Sequence, residues 1–155
     1  MIDIVAHTME YTGSPVESFD VLKNYSDSYF EEYKRIYEAC FHEMRQALEL
    51  NPIDACDSRD ELMKKSGDIF LYTENNTLIG SVAIYNNEID DLIVAKEHQH
   101  KGCGQLLLRF AIAHIQKMHL SPIVLHVADW NRQAINLYLK SGFIITKTET
   151  VKRTV

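Results

Sequence analysis

The stretch from Asp90 to Arg109 constrains the fold more than any other part of the sequence. It reads as a strand containing Leu92–Val94, a short polar loop, and a helix that begins at Gly102 and Gly104. Glycine lets a bound group approach the backbone closely, and the first amides of a helix lie unpaired at the positive end of its dipole. Lys101 adds a positive charge beside them. The stretch therefore predicts an anion site suited to phosphate, although an ordinary strand-to-helix connection would look the same.

Length and composition indicate one globular domain over residues 1–155 with a substantial core. No apolar run approaches the roughly 18 residues that a membrane span needs, and no basic, apolar leader is visible at the N-terminus. The cysteines Cys40, Cys56 and Cys103 are odd in number and widely scattered. Because this pattern is typical of reduced thiols, we expect a cytoplasmic protein without disulfides.

The net charge of −6 argues against nucleic acid as a partner, since a phosphate backbone selects basic surfaces. It mildly favours cationic or amine-bearing small molecules, and simple solubility is the more ordinary explanation of the charge. The His42–Gln46 segment approaches a zinc-protease helix motif, but Gln46 stands where the second histidine ligand is needed. We therefore expect no metal.

Apolar periodicity and turn residues predict a regular series of elements. Residues 2–7 and 18–23 are strand-like and flank the turn-forming Tyr11–Pro15 segment, which predicts an N-terminal hairpin. A helix is expected from Ser28 to Leu50, and its aromatic stripe is typical of a core, although Tyr29, Tyr33 or Tyr37 could line a substrate pocket. The remaining predicted elements are a helix over Arg59–Lys65 capped by Asp57 or Ser58, strands over 68–74, 77–85 and 88–95, a helix over Cys103–His119, a strand over Ile123–Ala128, a helix over Arg132–Lys140 capped by Asn131, and a strand from Phe143 to about Val151.

Connection rules assemble these elements into an α/β (α+β) fold. The asparagine turns at 75–76 and 86–87 make the three middle strands an antiparallel meander. A helix joins the strand at 89–95 to the strand at 123–128, so these two should lie parallel and adjacent. The sequence thus predicts a mixed sheet of about six to seven strands, mostly antiparallel, with helices on both faces.

Two motifs occur in a recognisable order and spacing. The loop Gln99–Gly104 follows Val94 by five residues, and Leu137-Tyr138 precedes Gly142-Phe143. They resemble the GNAT superfamily of acyl-CoA-dependent N-acetyltransferases, whose loop is Gln/Arg-x-x-Gly-x-Gly/Ala and whose second motif ends in Leu-Tyr-x-x-x-Gly-Phe. The resemblance covers about residues 68–150.

The resemblance implies a parallel strand pair that splays apart to bind acetyl-CoA. An acetyl group would then pass to a primary amine by direct attack in a ternary complex. The backbone of the cleft strand would pair with the pantetheine arm, and the amide near Val94 would stabilise the oxyanion. The cofactor-binding residues implied are Leu92, Ile93, Val94, Gln99, His100, Lys101, Gly102, Cys103, Gly104, Gln105, Asn131 and Tyr138.

The same resemblance assigns catalytic roles. Tyr138 matches the general acid that protonates the departing thiolate. A general base is needed because a protonated amine cannot attack, and our candidates are His126, Glu88 and Asp90, with Asp91 beside them. The carboxylates could equally form a solvated turn, and a histidine in a strand is often a hydrogen-bonded core residue.

Several questions stay open at this level. The acceptor could be a small amine, an amino acid, an antibiotic or a protein N-terminus. A non-catalytic acyl-CoA sensor is the alternative function. Because Val155 closes the sequence after a single strand, the sheet could be short, or completed by the N-terminal hairpin or by a partner subunit in a homodimer. Cys103 at a helix N-terminus could have a lowered pKa, with core packing as the alternative.

Overall fold

The computed structural model describes residues 2–152, which form a seven-stranded mixed sheet with helices on both faces. Among the described residues the strand order is β2-β3-β4-β5-β6-β1-β7, and only β5 and β6 are parallel. This confirms the predicted fold class. The strands are β1 (Ile4–Tyr11), β2 (Lys23–Asn24), β3 (Ile69–Glu74), β4 (Thr77–Tyr85), β5 (Glu88–Val94), β6 (Val124–Ala128) and β7 (Phe143–Val151), and the helices are α1 (Phe30–Ala47), α2 (Arg59–Lys64), α3 (Cys103–Lys117) and α4 (Arg132–Lys140).

Local sequence signals set the turns and the helix starts. Asn75, Asn76 and Asn86 have φ values of 51°, 62° and 58°, a left-handed conformation that asparagine tolerates, and the β3–β4–β5 meander is confirmed. Ser58 begins α2 with a capping box, in which its hydroxyl accepts from the Glu61 amide at 3.2 Å. The Asn131 side chain caps α4, as predicted.

The sheet carries an apolar core on each face. Val82 and Ile84 of β4 pack against α3, which is buried along most of its length. Ala83, between them in the strand, faces the opposite way toward Tyr33 and Ile36 of α1. Because α1 and α3 pack on opposite faces of the sheet, β4 and β5 are covered from both sides.

The N-terminal hairpin prediction is wrong. β1 lies between β6 and β7 and is antiparallel to both, whereas β2 pairs with β3 at the far edge. The turn signal itself is real, since the Tyr11 hydroxyl donates to the Ser14 carbonyl at 2.6 Å. The following apolar residues, however, pack on α3 and not on β1: the Val16 amide donates to the Gln116 side chain, and the Phe19 ring meets Phe110 edge-on. The chain's own N-terminal strand therefore completes the sheet.

This placement predicts that β1 is essential to stability. Met9 on β1 is fully buried, so Met9→Ala should lower the free energy of unfolding by about 2–5 kcal/mol. Ile144→Ala on the neighbouring β7, where 49% of the residue is exposed, should cost well under about 1.5 kcal/mol. Urea denaturation of both variants measures the difference. Equal losses would contradict an internal position for β1.

Candidate active site

A cavity of about 610 Å³ opens where β5 and β6 part. The two strands pair only through Glu88 with Val124 and Ile89 with Leu125. β5 continues to Val94 without a strand on that side. Side chains from α1, β5, β6, α4 and the loop before α3 surround this gap. The cavity therefore has an unpaired strand edge along one wall.

The end of β5 presents a backbone amide to this cavity. Ala95 donates its amide to the Ile79 carbonyl on β4 at 2.8 Å. Successive residues of a strand point their backbone groups in opposite directions, so the Val94 N–H points into the gap. The Val94 carbonyl accepts hydrogen bonds from the Gln99 side chain at 3.1 Å and the Cys40 thiol at 3.2 Å. These contacts fix the peptide groups at the strand end.

The loop before α3 closes one end of the cavity. Gly102 has a φ of 85°, a conformation that favours glycine, and it directly precedes the helix. A Cβ atom placed on Gly104 would meet only a Leu137 methyl group, at 3.4 Å. Gln99, His100, Gly102, Gly104 and Gln105 all line the cavity. The free amides of the first helical turn thus face a space that an anion can enter.

Tyr138 projects from α4 into the same cavity. Its ring packs 6.1 Å from that of Phe143. Burial, with a smaller contribution from the Asp90 charge, raises the pKa of Tyr138 to about 12. The hydroxyl is therefore neutral at ordinary pH and still carries the proton that it could donate. Complete transfer to a thiolate of pKa near 8.5 would be uphill by roughly 5 kcal/mol, less where the thiolate is itself desolvated.

His126 links three strands at the edge of the cavity. Its Nε2 atom lies 2.9 Å from Glu88 Oε1 on β5, and its Nδ1 atom lies 3.1 Å from Thr8 Oγ1 on β1. The His126 side chain is 57% exposed and lines the cavity, whereas Glu88 does not. Both ring nitrogens are engaged, so the imidazole is held in place at the cavity edge.

Asp91 is the acidic residue that a bulge in β5 places at the cavity wall. β5 has a bulge here: Asp90 pairs with Ala83 and Ile93 with Ser81, so two residues of β5 face a single residue of β4. Asp91 has a φ of 46°, rare for a residue with a side chain, and it lines the cavity. Such backbone strain occurs often at functional sites.

The surroundings of Asp91 make its carboxyl group unusually basic. Burial raises the pKa of Asp91 to about 6, and the charge of Asp90 adds to this effect. Lys65 and the Tyr37 hydroxyl lower it, and Asp57 raises it further. A carboxylate of this pKa can both bind a cation and accept a proton near neutral pH. Alternation along a strand places Asp91 on the same side as the buried Ile89 and Ile93. An acidic residue between two buried positions is a sequence signal that could have identified Asp91 as a site residue.

Some of the other predicted site residues line the cavity, and others do not. Leu92, Asp90 and Asn131 line the cavity. Ile93 has a buried side chain in the core under α1 and can contribute only its backbone. Lys101 is exposed and Cys103 half-buried, and neither lines the cavity.

Two further expectations can be compared with the structure. Burial and the charge of Glu74 raise the pKa of the Cys103 thiol, against the lowering considered for a helix N-terminus. Tyr37 lines the cavity, whereas Tyr29 and Tyr33 are core residues.

Within residues 2–152, no three or more His, Cys, Asp or Glu side chains are grouped as metal ligands, and no helix has the length and apolarity to cross a membrane.

Comparison with known proteins identifies the family. The model of the acetyltransferase (GNAT) family matches residues 25–143, and the chain belongs to this family. It is 36% identical to streptothricin acetyltransferase A of Bacillus subtilis (strain 168) over 87 residues, which are 53% of this chain and 50% of that protein. The chain thus spans half the length of that relative.

Solved structures share the fold. An acetyltransferase from the GNAT family of Colwellia psychrerythraea has a TM-score of 0.70 at 13% identity, over 96% of this chain and 55% of that one. The PaiA N-acetyltransferase of Thermoplasma acidophilum, in complex with coenzyme A, has a TM-score of 0.68 at 21% identity, over 83% and 91% of the two chains. Acetyltransferases of this fold therefore include a coenzyme A complex.

The raised pKa of Asp91 predicts a pH-dependent stability. The folded pKa of about 6 lies above the ordinary aspartate value of 3.8, so the folded state binds more protons between these two pH values. Stability should therefore fall as the pH rises through this window. Asp91→Asn should stabilise the protein by about 2–3 kcal/mol at pH 7.5 and leave it nearly unchanged at pH 3.5.

Chemical denaturation at both pH values measures this effect. Asp20→Asn, at an exposed aspartate outside the cavity, is the matched control and should show no such difference. A stability gain from Asp91→Asn that is independent of pH would contradict the assignment.

Proposed function

We propose that this chain transfers an acetyl group from acetyl-CoA to a primary amine by direct attack in a ternary complex. The observation that carries the proposal is the continuous cavity from the unpaired edge of β5 to the glycine loop before α3. A pantetheine arm is extended and bears amides, so it can add to a strand edge, while a diphosphate suits a helix N-terminus. Coenzyme A joins these two parts in one molecule.

The proposed cosubstrate would use most of the residues assigned from the sequence. Backbone groups of Leu92–Val94 would bind the pantetheine amides, and amides of Gln99–Gln105 would bind the diphosphate. Asn131 caps α4 beside the same space and would help to hold the arm. The Val94 amide is oriented to donate to the oxyanion that forms when the amine attacks the thioester carbonyl.

Proton transfers would use side chains on two sides of the cavity. Asp91 is the proton acceptor that the geometry favours, since its carboxylate can hold an ammonium group and then take its proton. His126, bonded to Glu88, is the second candidate, and exposed Asp90 acts by raising the pKa of Asp91. As the carbon–sulfur bond breaks, the Tyr138 hydroxyl would give its proton to the thiolate.

The acceptor side of the cavity favours a cationic amine. Tyr37 and Phe41 on α1 present aromatic rings across from the carboxylates of β5. Aromatic faces and carboxylates both attract ammonium groups. The name of the Bacillus subtilis relative gives streptothricin as its acceptor, so streptothricin comes first in our panel, followed by amino acids and other small amines.

The placement of the diphosphate predicts that a negative charge at Gly104 prevents binding. Gly104→Glu should abolish the rise in melting temperature that CoA causes, because its carboxylate would occupy and repel the anion site. Gly67→Glu is the matched control, since an added Cβ there meets nothing within 4 Å and Gly67 does not line the cavity. A full CoA response by Gly104→Glu would show that the diphosphate lies elsewhere.

The role of Tyr138 predicts separate effects on binding and turnover. Tyr138→Phe should keep the CoA-induced thermal shift and slow thiol release by about 10²–10⁴-fold, because a positioned acid is lost. Tyr29→Phe removes a hydroxyl that bonds Lys23 away from the cavity and should keep full turnover. CoA binding by the unaltered chain without turnover of any amine would favour the acyl-CoA sensor.

A further inference from the structure

We propose that the outer edge of β7 binds the β7 strand of a second copy of this chain, in an antiparallel register centred on Thr148. The pairing would join the two sheets edge to edge. Among the described residues, β7 is an outermost strand of the sheet and pairs with β1 alone. The inference goes beyond the proposed function and does not depend on it.

The two edges of the sheet differ in length and composition. β2 closes one edge with the two residues Lys23–Asn24, whereas β7 runs over the nine residues Phe143–Val151. A short edge strand avoids pairing with other chains, and a long one can accept a further strand. Apart from Lys147 and Glu149, every residue from 144 to 151 is β-branched, which favours a paired strand. The β7 edge therefore has the length and the residues that a partner strand needs.

The pairing of β1 shows which backbone groups of β7 point outward. The Asp129 amide donates to the Val5 carbonyl, so the backbone groups of Val5 face β6. Val5 lies opposite Thr150 in the β1–β7 pair. In an antiparallel strand the N–H and C=O of one residue point to the same side, and this side alternates along the chain. Thr150 and Thr148 therefore direct their backbone groups away from β1, toward the outer edge.

Two opposite charges on this edge favour one register. Lys147 and Glu149 lie on the same face of β7, and their exposed side chains pair with each other at 2.8 Å. With a two-fold axis at Thr148, the Lys147 side chain of each copy lies opposite the Glu149 side chain of the other. An axis at residue 147 or 149 would instead set two lysines or two glutamates directly opposite each other, which is destabilising. The strand is thus complementary to itself only when the axis lies between its two charges.

The backbone agrees with the register that the charges favour. Because the groups of Thr148 point outward, the two copies of Thr148 can exchange a pair of hydrogen bonds on the axis. Lys147 and Glu149 of the other copy then form a non-hydrogen-bonded pair, in which side chains lie closer together. A bulge at Thr146 limits the regular edge to residues 147–151. At the ends of the pair, the exposed Ile144 of one copy lies near the exposed Val151 of the other.

The register also fixes how the two sites are related. Thr8 on β1 lies opposite both His126 and Lys147, so these three residues share one face of the sheet. The two-fold axis of an edge-to-edge pair is perpendicular to the sheet, and both copies therefore present this face to the same side. The two His126 side chains would lie five strand spacings apart, roughly 24 Å. Both cavities stay open in such a dimer.

Analytical ultracentrifugation of the full chain over a range of concentrations tests the charge pairing. The unaltered chain should dimerise, and Lys147→Glu or Glu149→Lys alone should weaken the dimer by about tenfold or more, because two symmetry-related pairs become repulsive. The double variant Lys147→Glu/Glu149→Lys sets opposite charges across the axis again and should return to within about threefold of the original affinity. Lys34→Glu, the same charge change on the exposed side of α1, should leave the dimer unchanged.

A second pair of variants tests the backbone contact. Thr148→Pro removes the outward amide without removing a hydrogen bond to β1, and it should weaken the dimer. Thr148→Val keeps this amide and should preserve dimerisation. Because both variants lose the hydroxyl that bonds His7, the difference between them reports on the amide alone.

Each result bears on the inference. A chain that stays monomeric up to millimolar concentration would contradict it, and so would a dimer that neither single charge variant weakens. Association that is weakened by both single variants and not restored in the double variant would exclude this register. Melting temperatures of the variants verify that each one is folded.

Discussion

The site depends on one interruption in the sheet: the parallel pairing of β5 and β6 ends after Glu88–Val124 and Ile89–Leu125. In most proteins an unpaired strand edge is covered by another element or carries charged side chains, because it can otherwise pair with a strand of another chain. Here α1 and α3 pack against β5 from both faces while one edge stays open. The Val94 amide is thereby directed into the cavity, and a donor held in a fixed direction needs no reorganisation to bind a group that enters there.

The sequence predicted the glycine loop and the Tyr138 helix, but it did not predict the position of β1. The Gln99–Gly104 loop and the Tyr138 helix depend on local signals, namely glycine conformation and a capping asparagine, and these act over a few residues. Parallel pairing of the flanking strands followed from a connection rule. The place of β1 could not be predicted this way, because its partners β6 and β7 are more than a hundred residues distant and its pattern fits a hairpin equally well.

Asp91 shows why the acidic group in the cavity was harder to choose. Glu88, Asp90 and Asp91 are all acidic, and alternation places only Asp91 on the side of the buried Ile89 and Ile93, where the bulge then changes its position. The bulge moves Asp91 from the apolar side of the strand to the cavity wall, where burial raises the pKa of its carboxyl group. A bulge depends on strand register, so alternation could single out Asp91 but could not show that its carboxyl group lies at the cavity wall.

The N-terminal segment, which the sequence left ambiguous, supports both sides of the cavity. His7 on β1 bonds Asp129 at 2.7 Å and Thr148 at 2.8 Å, and this fixes the turn from β6 into the helix that carries Tyr138. The Asp129 pKa is lowered by the bond to His7, so its carboxylate is held charged beside Arg132. Residues 12–22 then cross to α3 and reach the glycine loop through Phe19. His7 and residues 12–22 both lie N-terminal to the family-matched residues 25–143, so a segment outside that match supports the elements that surround the cavity.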